Sequence, residues 1–269
     1  MPNNCNTDLF SQSIENHTWV RNAYNILASS LLLKNILIKK EIGICSKQKK
    51  GAFHVFYPGF GLGQLFRMFN NPNKYNVFGI DKNQSFVTHS TAYFQDKEIK
   101  NIYCKTQDMT TIEYEDTFDI ALIVNVLNYI EKDVEFLMKI QKSLAKKGVV
   151  VVFNASSLAN EKDKRLEAGI YQDEKFRFGY SKEEIVNVLH LAGFKKLRAR
   201  YVYGVFGVLS WKITTGWPSF LIKATKLSYL LIPFYIILLY PFALLFNFLE
   251  LLIPNKSGKC VMVRAYNTK

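Results

Sequence analysis

His54-Val-Phe-Tyr-Pro-Gly-Phe-Gly-Leu-Gly63 is the stretch whose reading decides the fold. An apolar strand, Ala52–Tyr57, runs into three alternating glycines, and an apolar helix is predicted from there through Phe69. Glycines between a strand and a helix let backbone N–H groups and the helix N-terminus approach a ligand without a Cβ clash. Taken alone, the pattern is also that of a tight turn between strand and helix. Asp81 sharpens it: it closes the next predicted strand, Tyr75–Ile80, 22 residues after Gly59. A carboxylate there can accept two ribose hydroxyls. The spacing also excludes two alternatives. A dinucleotide turn follows GxGxxG, but Gln64 stands where the third glycine would fall, and the chain has no GxxxxGK[ST].

Outward from this stretch, strands and helices alternate, as in a parallel sheet. The pattern predicts a helix over Ser85–Phe94, a strand over Asn101–Lys105 ending near Asp108, and a strand over Phe118–Val124. The last is an unbroken apolar run, typical of a strand buried on both faces. Ile130, Val134, Leu137, Ile140 and Leu144 mark one helix face, closed by Lys146-Lys147 and Gly148. Val149–Phe153 reads as a fifth strand. Ser181-Lys-Glu-Glu184 is a capping box opening a helix that Gly193 ends. Lys196–Tyr203 and Lys259–Tyr266 alternate like half-exposed strands. Upstream, Leu9–Lys40 reads as a broken helix and Lys47-Gln-Lys-Lys-Gly51 as a solvated loop.

In this order the elements resemble a class I S-adenosylmethionine-dependent methyltransferase, over roughly Ala52–Phe194 and the last strand. His54–Gly63 resembles the family's first motif. Phe78-Gly-Ile-Asp81 resembles the second, Thr106-Gln-Asp-Met109 the third, and Phe118–Ile130 the fourth strand with its active-site end. Leu144–Phe153 resembles the entry to the fifth strand. The resemblance implies an α/β, Rossmann-like sandwich: a seven-stranded, mostly parallel sheet with an antiparallel last strand. N-terminal helices and a hydrophobic helical insertion between the last two strands would be added to it. It implies S-adenosylmethionine as cofactor, held by Tyr57, Gly59, Phe60, Gly61, Gly63, Asp81, Lys82, Asp108, Met109 and Asn125. Asp81 would take the ribose and Asp108 the adenine amino group. Tyr57 stands where the family commonly has Asp or Glu, and Asn125 and Tyr129 where relatives often carry Glu and His.

A sulfonium methyl is already a strong electrophile, so much of the acceleration can come from orienting the nucleophile. A base is needed only for an acceptor that carries a proton. Candidates are Tyr129 at the pocket rim, and His17 or Tyr24 from the N-terminal segment acting as a lid; each is also read as an ordinary packing or surface residue. Tyr171 and Arg177 lie in a polar stretch, 154–179, that should overhang the strand ends, where they could meet a substrate anion. The four cysteines are scattered with no CxxC, which predicts reduced thiols, a cytosolic setting and no metal site. The N-terminus lacks the basic and apolar regions of a secretory leader.

The net charge of +13 is unevenly placed. Residues 1–50 carry 7 basic and 3 acidic side chains, 51–184 carry 17 and 18, and 185–269 carry 11 and 1. The basic excess therefore surrounds the apolar run Leu227–Leu249, which has no formal charge. As one straight helix it would reach roughly 35 Å at about 1.5 Å per residue. Pro233 and Pro241 predict bent helices instead. If the last two strands pair, the chain must leave and return on one side of any membrane, which favours a monotopic hairpin. Trp211, Trp217, Tyr229 and Tyr235 suit headgroup-level anchoring, and Lys212, Lys223 and Lys226 suit contact with anionic lipid. A dimer interface or a cover over the sheet are the other readings of the apolar run.

The expected organisation is an N-terminal basic lid (1–50), a methyltransferase core (51–204), the hydrophobic insertion (205–258) and the last strand (259–269). The expected function is methylation of a lipid-like, long-chain or aromatic small molecule on the cytoplasmic membrane face. The alternatives are a nucleic-acid methyltransferase and a catalytically silent scaffold. The first is weakened by charge that borders an apolar segment, and the second is favoured by Tyr57.

Overall fold

The computed structural model describes residues 32–45, 51–61, 63–158, 176–218 and 228–268. The five expected parallel strands form: β1 (Phe53–Pro58), β2 (Tyr75–Asp81), β3 (Ile102–Thr106), β4 (Phe118–Val124) and β5 (Leu144–Ala155). With β6 (Lys195–Val202) and β7 (Cys260–Tyr266) they make one seven-stranded sheet in the order 3-2-1-4-5-7-6. β1 to β5 are mutually parallel, and β7 runs antiparallel between β5 and β6.

Unbroken apolar strands are explained by two cores, one on each face of the sheet. Val149, Val151 and Phe153 point to the face covered by helix α1 (Leu33–Cys45) through Leu33, Leu37, Ile38 and Ile42. Val150 and Val152 point to the other face, against α3 (Asp133–Ser143) and α4 (Lys182–Leu191), which contribute Phe136, Leu137, Ile140, Ile185 and Leu189. Helix α2 (Gln84–Asp96) packs beside β2 and β3. The capping box of α4 forms as expected: Ser181 Oγ accepts from Glu184 N–H at 3.1 Å and Glu184 Oε2 from Ser181 N–H at 2.6 Å.

Three expectations change. The segment after the glycine turn is a 3₁₀ helix, Gln64–Phe69, which ends at Asn70. Helix α3 ends at Ser143, ahead of Lys146-Lys147, because Leu144 already enters β5 with Lys147 at a positive φ of 64°. The third change concerns the prolines. Helix α5 (Val205–Trp211) continues into a π-helical turn (Lys212–Gly216), and α6 (Ser228–Leu252) is one uninterrupted helix that includes both Pro233 and Pro241. Each proline removes one backbone donor. On either side of Pro241 the helix is tied to the preceding segment: Tyr235 donates its hydroxyl to Ile213 O at 2.7 Å, and Asn247 Oδ1 accepts from Ser210 Oγ at 2.6 Å.

The insertion leaves and returns at one rung of the sheet, since Val202 pairs with Cys260. Cys260 in turn pairs with Ala155, the last residue of β5. The antiparallel hairpin of α5 and α6 therefore rises from the carboxyl edge of the parallel strands. Its polarity is inverted relative to a water-facing helix. The face of α6 turned to the protein carries Tyr240, Ala243, Asn247 and Glu250, all buried. The outer face carries Phe234, Ile237, Leu238, Phe242, Leu245, Phe248 and Leu252, with Ile237 76% exposed. Over Phe234–Leu252 only 22% of the residues are buried, and the stretch is long and apolar enough to cross a membrane.

Candidate active site

The strand order reverses between β1 and β4, and a crevice at the carboxyl ends of these strands is where ligands bind in open α/β sheets. The glycine turn follows β1 there. Gly59, Gly61 and Gly63 all have φ near +60°, a region open to glycine at little cost. A Cβ on Gly59 would lie 2.8 Å from Val126 Cγ2 and 3.1 Å from Met109 Cε, so the turn is clamped between the ends of β3 and β4. A Cβ on Gly61 would meet nothing within 4 Å. The turn thus presents bare backbone to open space at Gly61.

Asp81, only 3% exposed, organises this backbone. Its Oδ2 accepts from Gly61 N–H and its Oδ1 from Asn83 N–H, both at 2.9 Å. Lys82 beside it is exposed. Asp108 is an exposed cap at the end of β3. Its Oδ1 accepts from both the N–H and the hydroxyl of Thr110, each at 2.7 Å. The Thr110 N–H, then its hydroxyl, hold the Asp108 carboxyl below the usual carboxylate range, and Lys82 and Lys139 add to this.

Asn125 directly follows β4 in the left-handed region, φ 55°, and its Oδ1 is buried without a hydrogen-bond partner. A buried amide oxygen lacking a donor is costly unless a ligand supplies one. Tyr57 and Phe60 turn away from the crevice into an aromatic cluster with Phe66, whose ring centroid lies 5.5 Å from Tyr57 and 5.0 Å from Phe60. Burial first, then the charge of Asp81, pushes the Tyr57 phenol far above its ordinary value, so it remains neutral. Tyr57 therefore does not replace the family's carboxylate electrostatically.

Tyr129 is half-buried on the 3₁₀ turn Leu127–Tyr129 beyond β4. That turn is tied to the following loop. Asn128 O accepts from Phe176 N–H at 2.9 Å, and Asn128 Nδ2 donates to Phe178 O at 3.4 Å. Arg177 Nη2 lies 3.4 Å from Asp133 Oδ2, and its guanidinium stacks 4.5 Å from the Tyr180 ring centroid. Tyr180, fully buried, donates to the same Asp133 oxygen at 2.8 Å. Arg177 is thus held in an ion pair, while Phe176 and Phe178 beside it are exposed. His17, Tyr24 and Tyr171 lie outside the described residues. Among the described residues no group of His, Cys, Asp and Glu could hold a metal ion.

Sequence reading missed the buried amides. Asn154 Nδ2 donates to Asn128 Oδ1 at 2.8 Å, which couples the end of β5 to the turn carrying Tyr129. The one legible signal was polar: Asn154 directly follows the apolar run Val149–Phe153.

A family model for a methyltransferase domain matches residues 59–193, half of the chain. The chain belongs to the class I S-adenosylmethionine-dependent methyltransferases. Its cofactor is S-adenosylmethionine, and the bare backbone at Gly61, the Asp81 carboxylate and the orphaned Asn125 oxygen fit that group. Solved structures agree on the fold of this methyltransferase. The CurJ carbon methyltransferase is 14% identical with a TM-score of 0.62, covering 93% of this chain and 58% of that one. Phosphoethanolamine N-methyltransferase 2 of Haemonchus contortus, in complex with S-adenosyl-L-methionine, is 14% identical at 0.60, covering 86% and 52%. A putative sarcosine dimethylglycine methyltransferase from Galdieria sulphuraria is 9% identical at 0.58, covering 87% and 86%. The chain thus spans little more than half the length of the first two. The fold alone does not dictate chemistry, since the [4+2]-cyclase SpnF also matches, with a TM-score of 0.54. No curated protein matches.

Proposed function

We propose that this methyltransferase works at an anionic membrane surface and methylates a lipid-like or long-chain acceptor. The observation that carries the reading is the inverted hairpin. Its exposed apolar face rises from the same sheet edge as the glycine turn, Asp81 and Asn125. Exposed Phe176 and Phe178 extend apolar surface along that edge beside the Tyr129 turn. Exposed Lys212 and Trp217 stand at the far end of α5, suited to headgroups.

In this reading the Gly59–Gly63 backbone, Asp81 and Asp108 would hold the cofactor, Asp81 through the ribose hydroxyls and Asp108 through the adenine amino group. Asn125 Oδ1, buried without a partner, would accept from the ammonium at the methionine end. Bound S-adenosylmethionine supplies an electrophilic methyl. The protein's part is to orient the acceptor atom and exclude water, and Tyr129 is the side chain placed to accept a proton from a hydroxyl or ammonium acceptor. Methyl-labelled cofactor incubated with the protein and a membrane-lipid extract tests the reading. Label should enter the lipid phase and be lost with Asp81→Ala. Label found only in water-soluble products, with protein that fails to float with anionic liposomes, would overturn it. A concentration-dependent dimer that hides the apolar face would do the same.

A further inference from the structure

A second, separate cavity of about 230 Å³ opens between α1 and the β6–β7 ladder, lined by Lys40, Glu41, Arg198, Arg200, Met262 and Arg264. Arg198 stands opposite Arg264 in the antiparallel register, with Arg200 opposite Met262. Two arginines directly across a ladder repel each other. Glu41 offsets this from the helix above: its Oε1 accepts from Arg200 Nη2 at 2.9 Å and its Oε2 from Arg264 Nη1 at 2.7 Å. Both carboxylate oxygens are then engaged. Four cations still face one carboxylate, and Arg198 and Lys40 have no ion-pair partner among the described residues. Arg264 is 5% exposed, and its Nε is buried with no acceptor. A buried guanidinium donor left unpaired is costly, and planar forks of this kind match tetrahedral oxyanions.

We propose that this cavity binds a phosphate monoester dianion through Arg198, Arg200, Arg264 and Lys40, with Glu41 as the internal counter-ion that competes with the anion for the guanidinium donors. The excess of positive charge over the single carboxylate suits a dianion. The site lies off the cofactor crevice and does not depend on the membrane reading. A phosphorylated small molecule and a phosphomonoester lipid headgroup share this chemistry, so the test has two arms.

The first arm follows thermal unfolding of the full chain in inorganic phosphate against chloride at equal pH and ionic strength. A rise of about 3 °C at saturating phosphate is expected. It should vanish in Arg198→Gln, an exposed position that leaves the fold intact, and grow in Glu41→Gln, which removes the internal competitor. The second arm compares phosphatidylcholine vesicles containing phosphatidic acid with vesicles of equal surface charge containing phosphatidylglycerol. A preference for the monoester that weakens about tenfold in Arg198→Gln identifies a lipid source. Phosphate stabilisation without that preference identifies a soluble one. Equal behaviour in phosphate and chloride, equal binding to both vesicles and an Arg198→Gln variant indistinguishable from wild type would overturn the proposal. A Glu41→Gln protein that is merely less stable, with no phosphate response, would count against it equally.

Discussion

Asp81 joins the legible and the hidden parts of the site in one residue. Its position at the end of β2 could be read from spacing, because a short strand closed by a carboxylate after the glycine turn is a local pattern. That its carboxylate also fastens the glycine turn through Gly61 N–H is a tertiary fact no spacing reveals. Asp81→Ala should therefore weaken S-adenosylmethionine binding by about a hundredfold in isothermal titration, from lost charge-assisted bonds and a loosened turn together. Tyr57 gives the opposite expectation. Its neutral phenol sits in the aromatic cluster, so Tyr57→Phe should leave cofactor affinity within about twofold. A large loss in the same titration would place the hydroxyl in the cofactor site. Asn125 was legible only as a residue type at a motif position; its strained φ and orphaned oxygen emerge from the way β4 ends against the glycine turn.

At the scale of elements, the strands were readable and the connections less so. Strands buried on both faces leave apolar runs in the sequence, whereas the end of α3 depended on where β5 began to pair, which is a contact between distant segments. The α5–α6 hairpin shows the same limit. Its apolar content was plain, but the polar contacts that tie α6 to the preceding helix, Ser210 to Asn247 and Tyr235 to Ile213, join segments far apart in sequence. Glu250, the one acidic residue after Glu184, read only as the boundary of the apolar run. In the fold it is 5% exposed and accepts from Gly204 N–H at 2.9 Å, Gly207 N–H at 2.8 Å and Asn255 Nδ2 at 2.7 Å. Glu250→Ala orphans three donors and should lower stability by about 3 kcal/mol in denaturant unfolding. Ile237→Asp, on the outer face, should leave the unfolding midpoint nearly unchanged and abolish flotation with anionic liposomes. A midpoint that falls as far as that of Glu250→Ala would show that Ile237 is covered by protein.

For the whole molecule, the net charge of +13 divides into roles that composition could not separate. Part of it surrounds the apolar hairpin and part lines the cavity beneath α1, while the crevice of the methyltransferase is shaped by Asp81 and Asp108. The single rung at which the insertion departs and returns, Val202 opposite Cys260, has a kinetic meaning as well. A two-residue turn could close the same ladder. Replacing such a turn with an excursion of some tens of residues costs on the order of 3 kcal/mol in loop-closure entropy, because the cost grows only with the logarithm of length. The hairpin is thus a graft that the sheet can carry or lose. Joining Val202 to Cys260 through Asn-Gly should give a protein that still binds S-adenosylmethionine in titration, no longer floats with liposomes, and folds faster because its last strand pairing has become local.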